Sequence, residues 1–524
     1  MFRIIDKEFH KNEYGKEKYL KNWPMVYILE NGKEAYIGQS TSVRSRMLQH
    51  KVNVEKQMFT DVHFIYSSEF NQSVTFDYES KLIQLLSADE KFILTNRNDG
   101  IAEKDYYNKT YYDENFKKLW NRLREKKLVQ HTIDELINSD LFKYSPYKEL
   151  NESQRQAVEE ILCSIETNDN QPIIVNGMPG SGKTIVAIFL FKYLRDRCDK
   201  KIAIVIPQTS LRKTIKELFK HIYGLKASDV IGPSDVVKQK YDIVLVDEAH
   251  RLKQRKNLSN YGSHDNNNRK LGLGKDGTEL DWILRQVKCP ILFYDKAQIV
   301  GPSGISKDIL SSKINTMYKN RMVTYYTLMT QMRVKGGNGY IDYVQKLLKN
   351  QCCHKEEFDT YDFKIVNSFT KFERLLIEKE KETGLARMVA GYAWPWISKK
   401  DKTKKDITIE QSERMWNNRT EGWVNCDTSI DEVGCIHSIQ GYDLNYAFVI
   451  LGNDIQFDQQ TKQIMINKSN YYDKNGKNTA TDAELLEYIK NIYYVLMTRG
   501  IEGTYLYICN PELKEYFSKF IDVV

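Results

Sequence analysis

A glycine-rich turn between a strand and a helix constrains this chain more than any other feature. "GMPGSGKT", from Gly177 to Thr184, fits the pattern G-x-x-x-x-G-K-[ST], follows the apolar run "PIIVN" and opens the helical run "TIVAIFLFKYL". In that context, glycines let backbone N–H groups close around phosphate oxygens, a lysine supplies positive charge and a hydroxyl reaches Mg²⁺. We therefore predict an ATP site formed by Gly177, Gly180, Gly182, Lys183 and Thr184, with Thr184 as a metal ligand.

A second run, "IVLVDEAH", supplies the acidic half of such a site. Asp247 follows a strand that is apolar on both faces and is predicted to hold Mg²⁺, and Glu248 is the natural base for the attacking water. Four apolar strands ("PIIVNG", "KIAIVIP", "YDIVLVDEA" and "CPILFYD") alternate with helical stretches, and a second series of strands and helices begins near Val323. This alternation predicts α/β architecture with two doubly wound parallel-sheet domains.

Composition limits the class of protein. With 524 residues, of which 41% are hydrophobic and 28% charged, the chain has room for about three or four globular domains. A net charge of +8 is compatible with a polyanionic partner and equally with an ordinary solvated surface. The eight cysteines lack CxxC spacing, which favours reduced thiols. The N-terminus is too charged for a signal peptide, and no apolar run reaches the ~18 residues of a membrane span, so we expect a cytoplasmic protein without membrane contact.

The first hundred residues have the pattern of a small α/β unit. "MVYILE" and "AYIGQS" predict two strands joined by a hairpin at Asn31-Gly32, and "VRSRMLQH" predicts a helix after them. A further strand, "DVHFIYS", precedes the helical pattern "VTFDYESKLIQLL". The predicted division of the chain is a first domain at 1–100, a helical basic connector at 101–148 and two α/β domains at 149–318 and 319–524.

Short motifs within residues 148–515 resemble, in their order, those of superfamily 1 helicases. They are "LNESQRQAV", "FYDKAQ", "LMTQMR", "HSIQGYDLNYAFVIL" and "YYVLMTRG". The resemblance implies that Gln154 contacts adenine and that Asp295 and Gln298 link ATP to nucleic acid, with Gln298 at the ATP site. It implies that Arg333 and Arg499 act on the γ-phosphate from across a cleft, so that hydrolysis depends on closure.

The later motifs narrow the resemblance. "HSIQGYD" contributes Gln440, Gly441 and Asp443, of which Gly441 is assigned to ATP binding. "RMVAGYAWPW", together with "VDEAHRL" and the glycine-bearing segment after it, resembles the Schlafen-like group of bacterial superfamily 1 ATPases. Trp394 and Trp396 in this segment either stack on bases or pack in the core.

The N-terminal unit resembles the GIY-YIG nuclease superfamily over about residues 22–100. "MVY", from Met25 to Tyr27, stands at the first element, and Tyr36-Ile37-Gly38 matches the second. The residues that follow also match in type and order: Arg46 and His50 one turn apart on a helix, Glu79 on the next helix, and Asn96 in "LTNRN".

This second resemblance implies metal-dependent cleavage of a phosphodiester. Tyr27 or Tyr36 would be the base, assisted by His50, and Arg46 would stabilise the phosphate. Glu79 would hold one Mg²⁺ or Mn²⁺. Because a free tyrosine has a pKa of ~10, Arg46, the metal or a hydrogen bond must lower this pKa before the tyrosine can act as a base.

A basic segment follows the acidic motif. Residues 251–275 are predicted to form a long loop, in which Arg255, Lys256, Arg269 and Lys270 contact the nucleic-acid backbone and couple binding to hydrolysis. The alternative is a solvated linker without such a role.

Together these patterns predict an ATP-dependent nuclease–helicase acting on nucleic acid, with DNA favoured over RNA. Chains that join two such parts resemble bacterial antiphage defence proteins. Two alternatives remain: an ATP-gated switch that senses nucleic acid or a partner without unwinding, and an N-terminal unit that only clamps nucleic acid. Since one nuclease site cuts one strand at a time, a homo-oligomer is an additional expectation.

Overall fold

The computed structural model describes residues 2–11, 22–96, 105–148, 150–167, 171–319, 323–419, 422–439 and 442–524. Gln440 and Gly441, predicted from the sequence as site residues, lie outside these ranges. The chain divides into two compact units. The first contains Met1–Glu159, Ile185–Ile202 and Lys213–Val230, and the second contains Glu160–Thr184, Ala203–Arg212 and Ile231–Val524.

The N-terminal residues form a five-stranded mixed sheet with the order β1-β4-β2-β3-β5. Its elements are β1 (Arg3–Glu8), β2 (Met25–Glu30), β3 (Glu34–Ser40), α1 (Val43–Val52), β4 (Asp61–Tyr66), α2 (Gln72–Ala88) and β5 (Ile93–Leu94). β1, β4, β2 and β3 pair antiparallel, and β5 pairs parallel to β3. The predicted hairpin is confirmed: β2 and β3 meet through a turn in which Gly32 has φ +82°. The helices predicted at "VRSRMLQH" and "VTFDYESKLIQLL" are also confirmed as α1 and α2.

The segment predicted as a connector is helical, and it packs into the N-terminal unit. Its helices are α3 (Lys109–Glu125), α4 (Ile133–Asn138) and α5 (Asp140–Lys143), followed by α6 (Glu152–Thr167). α3 buries Phe116, Leu119 and Trp120, and the ring of Phe116 lies 5.0 Å from that of Tyr78 on α2. The apolar face of α3 therefore completes the core under α2, so the segment is more than a tether.

The first large sheet has six strands in the order β11-β6-β10-β9-β7-β8. Its elements and the helices between them are β6 (Ile173–Gly177), α7 (Lys183–Arg197), β7 (Ile202–Val205), α8 (Thr209–Lys220), β8 (Val230–Ile231), β9 (Tyr241–Val246), α9 (Tyr261–Lys270), α10 (Glu279–Gln286), β10 (Val287–Tyr294), α11 (Lys307–Met317) and β11 (Thr324–Leu328). β11 pairs parallel to β6, as do β6 to β10 and β10 to β9. The predicted boundary after residue 318 would assign β11 to the second α/β domain, whereas its hydrogen bonds place it at the edge of this sheet.

The second large sheet also has six strands, in the order β16-β13-β17-β20-β12-β21, and all its pairings are parallel. The elements of this part are α12 (Gly337–Leu348), β12 (Asp362–Ile365), α13 (Phe369–Thr383), β13 (Ala386–Ala390), β14 (Ile407–Ile409), β15 (Ser412–Arg414), β16 (Val433–Gly434), α14 (Ile436–Ile439), β17 (Leu444–Leu451), β18 (Ile455–Asp458), β19 (Gln463–Ile466), α15 (Lys474–Thr479), α16 (Asp482–Met497), β20 (Gly500–Ile508), α17 (Pro511–Ser518) and β21 (Asp522–Val523). β17 is buried along nearly its whole length, as expected for a central strand covered on both faces. The α/β architecture with parallel sheets is thus confirmed.

One prediction about local structure was wrong: residues 251–275 are not one long loop. They contain α9, whose polar residues His264, Asn267 and Asn268 are buried. The Asn268 side chain donates to the Gly277 carbonyl oxygen at 3.0 Å and accepts from Trp282 Nε1 at 2.6 Å. A polar sequence can form a packed helix here because α10 presents a hydrogen-bonding indole to it.

Among the described residues, no helix combines the length and the apolar character that crossing a membrane requires.

The buried amide of Asn268 should hold α9 in place. We expect Asn268→Ala to leave Trp282 Nε1 and the Gly277 carbonyl without partners, at a cost of about 1–3 kcal/mol in local stability. Trypsin cleavage after Arg269 or Lys270 should then accelerate about tenfold or more in a timed digest. Asn266→Ala, an exposed position on the same helix, is the control. Equal cleavage rates in both variants would show that the Asn268 contacts do not anchor α9.

Candidate functional site

The glycine-rich turn, predicted as a phosphate loop, forms a tight turn between β6 and α7. Gly180 and Gly182 both have φ +79°, a backbone region that strongly favours glycine. Lys183 lies at the start of α7, and its Nζ donates to the carbonyl oxygens of Gly177 at 2.7 Å and Met178 at 3.1 Å. The lysine is thereby held over the turn by main-chain oxygens, with its ammonium group inside the loop.

The predicted metal-binding pair is in contact. Thr184 Oγ1 donates to Asp247 Oδ2 at 2.7 Å, and Asp247 directly follows β9. Asp247 Oδ1 is buried and has no hydrogen-bond partner within the described ranges. Burial raises the pKa of Asp247, and the neighbouring charge of Glu248 raises it further. A buried carboxylate oxygen of this kind fits a divalent cation, which would compensate both effects.

Glu248, the predicted base, has an unusual backbone conformation. Its φ of 51° and ψ of 44° lie in the left-handed region, which costs a residue other than glycine about 1–2 kcal/mol. Its Oε2 lies 2.9 Å from His250 Nε2. Burial alone raises the pKa of Glu248, but the adjacent His250 lowers it, and the net direction is down.

Arg333 lies beside the phosphate loop. The Met332 N–H donates to the Gly180 carbonyl oxygen at 2.7 Å, and a Cβ built on Gly180 would lie 2.8 Å from the Arg333 Cβ. Arg333 Nε forms an ion pair with Asp443, while Arg333 Nη1 is buried without a partner in the part of the chain that the structure describes. The guanidinium therefore has a donor left for an anion next to the loop.

A line of side chains joins the phosphate loop to the second sheet. Lys183 Nζ lies 3.2 Å from Asp295 Oδ2, and the same oxygen accepts from Gln298 Nε2 at 2.8 Å. Gln298 Oε1 accepts from Arg499 Nη2 at 3.3 Å. Asp295 and Gln298 follow β10 of the first sheet, and Arg499 precedes β20 of the second. The predicted second arginine is thus two side chains away from the loop lysine.

Sequence reasoning missed a cavity of about 480 Å³ next to these groups. Its wall includes Gln208, Arg251, Lys253, Gln298, Tyr392 and His437. Burial lowers the pKa of His437 to about 4, with further lowering by Arg251 and Lys253, so its imidazole is neutral near pH 7. Two cations and two aromatic rings around one opening suit an anionic ligand with planar groups.

In the N-terminal unit, the predicted tyrosine and histidine residues form one cluster. Tyr27 Oη lies 2.8 Å from His50 Nε2, and the Tyr36 and His50 rings are 5.4 Å apart. A Cβ on Gly38 would overlap the Tyr27 hydroxyl, so only glycine at this position of β3 lets the Tyr27 ring lie across it. Burial raises the pKa of Tyr27, and burial lowers that of His50 to about 4.

Arg46 and Glu79 complete the cluster. Arg46 Nη1 donates to Gln49 Oε1 at 3.1 Å, and the nearby Tyr27 and Tyr36 hydroxyls, Tyr27 most, raise the pKa of Arg46. Burial raises the pKa of Glu79 to about 7, partly offset by the Gln39 main-chain N–H and the charge of Arg46. Within the described ranges, no group of three or more His, Cys, Asp or Glu side chains is arranged to hold a metal ion. Any cation at Glu79 would therefore rely on one protein carboxylate plus water or substrate oxygens.

Two further side chains support this cluster. Asn96 binds both polar groups of Ile37: its Oδ1 accepts from the Ile37 N–H at 3.1 Å and its Nδ2 donates to the Ile37 oxygen at 2.8 Å. This contact connects the residues just after β5 to the middle of β3. Lys56, which sequence reasoning missed, is buried with its Nζ 3.4 Å above the Tyr36 ring. Its isolated position in the sequence offers no motif that could have identified it.

Two other predicted residues, Gln154 and Arg255, have local partners. Gln154 and Asn151 exchange hydrogen bonds at the start of α6, so the predicted contact of Gln154 with adenine stays a prediction. Arg255 binds Asp265 through Nε at 2.7 Å and Nη2 at 2.9 Å, whereas Lys256, Arg269 and Lys270 are exposed. The intramolecular pair makes Arg255 the weakest candidate of these four for a backbone contact.

The two tryptophans differ in their surroundings. Trp394 ring carbons lie 3.0 and 3.1 Å from a Cβ built on Gly452, so this ring packs on the core. The Trp396 ring is perpendicular to that of Trp416 at 6.0 Å, and Lys399 Nζ lies 4.9 Å above it. Both rings are half-buried.

Comparison with known families covers most of this second unit. Residues 170–510 match the family described as Schlafen group 3, DNA/RNA helicase domain. The chain belongs to this Schlafen helicase family. The matched range contains the phosphate loop, Asp247, Glu248, Arg333, Arg499 and the cavity, but not the N-terminal cluster.

Among individual proteins, the Schlafen-type chain is 25% identical over 431 residues to an uncharacterized protein of Saccharomyces cerevisiae, covering 70% of this chain and 90% of the yeast protein. A structure of Pif1 helicases at forked double-stranded DNA aligns at TM-score 0.28 and 13% identity, over 68% of this chain and 92% of that one. Bacteroides Pif1 bound to single-stranded DNA aligns at TM-score 0.27 and 11% identity, over 68% and 91%. At such scores the likeness in shape does not assign an activity.

The close approach at Gly38 generates a test of the cluster outside the Schlafen helicase domain. We expect Gly38→Ala to lower stability by about 1–3 kcal/mol, because the new methyl group must displace the Tyr27 ring. Thermal unfolding followed by circular dichroism measures the change. Gly339→Ala, on α12 with only Phe358 near its Cβ site at 3.9 Å, is the control and should be neutral or slightly stabilising. An unchanged melting temperature for Gly38→Ala would contradict the packing of Tyr27 over Gly38.

Proposed function

We propose that this protein is an ATP-dependent nuclease–helicase: the Schlafen-type domain hydrolyses ATP on nucleic acid and the N-terminal unit cuts the phosphodiester backbone. The observation that carries the ATPase half is the contact of Thr184 with Asp247 beside the lysine of the phosphate loop. Hydroxyl, carboxylate and ammonium meet where the phosphates and Mg²⁺ of a bound nucleotide would lie.

Each group has a role in hydrolysis. The loop N–H groups and Lys183 would bind the β- and γ-phosphates, and Thr184 and Asp247 would hold Mg²⁺, which neutralises phosphate charge when bound. Glu248 would accept the proton of the attacking water. Arg333, whose Nη1 is unpaired within the described ranges, would stabilise the negative charge that develops on the γ-phosphate. Arg499, which contacts Gln298, would reach the same phosphate when the cleft closes.

Nucleic acid is the partner that best fits the cavity. Its cations Arg251 and Lys253 would contact backbone phosphates, while Tyr392 and His437 offer ring faces for bases. Lys256, Arg269 and Lys270 would extend the contact along the surface, with Arg255 joining only if its pair with Asp265 opens. We favour DNA over RNA as the substrate. Gln298 lines the cavity and also contacts Arg499, which supports coupling between strand binding and hydrolysis.

The loop lysine and the base give separable tests of the ATPase. We expect Lys183→Ala to lose at least about 100-fold in ATP turnover, because the phosphates lose their fixed cation. Glu248→Gln should bind a fluorescent ATP analogue with wild-type affinity and turn over about 100-fold more slowly. Phosphate release measured with and without DNA checks both, and Lys200→Ala, near the end of α7, is the control. Wild-type turnover in Lys183→Ala would exclude this site.

The N-terminal cluster supports phosphodiester cleavage by a relay of protons. An attacking water would lose a proton to Tyr27 while Tyr27 passes its hydroxyl proton to His50 Nε2, which is neutral near pH 7 and 2.8 Å away. This direction of transfer avoids a free phenolate, which burial of Tyr27 disfavours. Arg46 would stabilise the charge on phosphorus. Glu79 would hold one Mg²⁺ or Mn²⁺, which supplies charge for the departing oxygen.

The biological role we propose, antiphage defence, rests on the resemblance of the two-part architecture to bacterial defence proteins. Cleavage of both strands would need two copies or two visits, which is why a homo-oligomer is part of the proposal.

Cleavage should depend on Glu79 and on pH. We expect Arg46→Ala and Glu79→Gln each to abolish nicking of supercoiled plasmid in Mn²⁺ while ATP turnover stays at the wild-type level. Below pH 7 the Glu79 carboxyl becomes protonated and cannot bind a cation, so nicking should fall by up to about tenfold per pH unit.

Gln57→Ala, an exposed position in the same unit, is the control for this cleavage assay. Parallel loss of nicking and ATPase in well-folded Glu79→Gln would contradict the separation of the two activities. Absence of metal-dependent nicking by the wild-type protein would leave the N-terminal unit as a nucleic-acid clamp.

A further inference from the structure

The segment after Asp247 connects the candidate base to the cavity wall over a very short distance. Glu248 contacts His250 at 2.9 Å, and His250 itself lines the cavity beside Arg251. This is a second link between the cavity and the ATP site, separate from the one through Gln298 and Arg499.

His250 is held rigidly. Its carbonyl oxygen accepts from the Ile305 N–H at 3.0 Å, and Gln254 farther along binds the Ser303 and Gly304 carbonyl oxygens. The residue is 1% exposed. Neither of its ring nitrogens makes a hydrogen bond of good geometry within the described ranges. A buried imidazole with unused polar atoms at a cavity wall is costly unless a ligand meets it.

Glu248, in contrast, is held in a strained position. Its left-handed backbone persists only while surrounding contacts maintain it, and such residues are frequent at sites with two alternative states. Glu248 Oε2 lies 2.9 Å from His250 Nε2 without hydrogen-bond geometry, so the imidazole holds this oxygen by a charge contact. The geometry therefore describes a carboxylate restrained by a fixed neighbour.

We propose that His250 is a positioning residue that restrains Glu248 until an anionic strand occupies the cavity. This inference rests on the proposed ATPase function and specifies its regulation. A phosphate oxygen near Arg251 and Lys253 competes with the Glu248 carboxylate for the His250 imidazole. Once the phosphate contacts the fixed imidazole, the Glu248 carboxylate is released toward the attacking water. Hydrolysis is then slow without nucleic acid and fast with it.

The test compares basal and stimulated ATP turnover of the full chain, with a poly-dT oligonucleotide as the probe. His250→Ala should raise the basal rate roughly three- to tenfold, the range expected from losing one polar contact. Its stimulation by poly-dT should fall toward a ratio of one, while the affinity for a fluorescent ATP analogue stays unchanged. His250→Gln retains a donor of similar reach and should restore a low basal rate.

His354→Ala, which removes an exposed histidine, is the matched control and should behave as wild type. The asparagine side chain in His250→Asn is too short to reach Glu248. This variant therefore also tests loss of the contact if His250→Ala unfolds. Basal and stimulated rates that fall together in both variants would overturn the proposal, since His250 would then support the active position of Glu248. Wild-type protein without ATP turnover would instead reject the proposed ATPase itself, and the restraint with it.

Discussion

The contact between Lys183 and Asp295 is the interaction on which the second unit depends. An ammonium group inside a buried loop needs a counter-charge, and the carboxylate at the end of β10 provides it at 3.2 Å. Because the same Asp295 oxygen also accepts from Gln298, and Gln298 accepts from Arg499, the charge of the loop is connected to the second sheet. The two large sheets are thus connected by one series of polar contacts. Replacing Lys183 or Arg499 would change the hydrogen-bond partners of the side chains between them.

Much of this arrangement follows from the sequence because it is local. The phosphate loop needs glycines at fixed spacing, and the strands beside it need apolar residues on both faces, so "GMPGSGKT" and "IVLVDEAH" predict their own structure and their mutual position. The contact of Thr184 with Asp247 is a consequence of parallel strands whose carboxyl ends meet at one edge. The Tyr27, Tyr36, Arg46, His50 and Glu79 cluster is expected only from the resemblance to GIY-YIG nucleases, because its residues come from a hairpin and two separate helices.

What the sequence could not provide depends on partners that are distant along the chain. α9 looks like a loop because its residues are polar, and its burial is favourable because Asn268 bonds to the Gly277 carbonyl and to Trp282, 14 positions beyond it. β11 looks like the start of a second domain, although its hydrogen bonds go to β6, about 150 residues earlier. Lys56 belongs to no motif, and His250, although it ends "IVLVDEAH", received no role from the sequence; their positions beside Tyr36 and Glu248 appear only when the chain is folded.

The same reasoning explains why regulation is harder to read than chemistry. Chemistry requires particular residue types at short range, whereas regulation requires that a contact be breakable. Glu248 satisfies both conditions: its carboxylate is suited to accept a proton, and its left-handed backbone and contact with His250 make its position conditional. Arg333 shows the same combination, since Asp443 occupies its Nε while Nη1 remains available. In the function we propose, a site built from residues that are partly engaged elsewhere stays inactive until a ligand changes those contacts, and the cavity wall is where such a ligand would act.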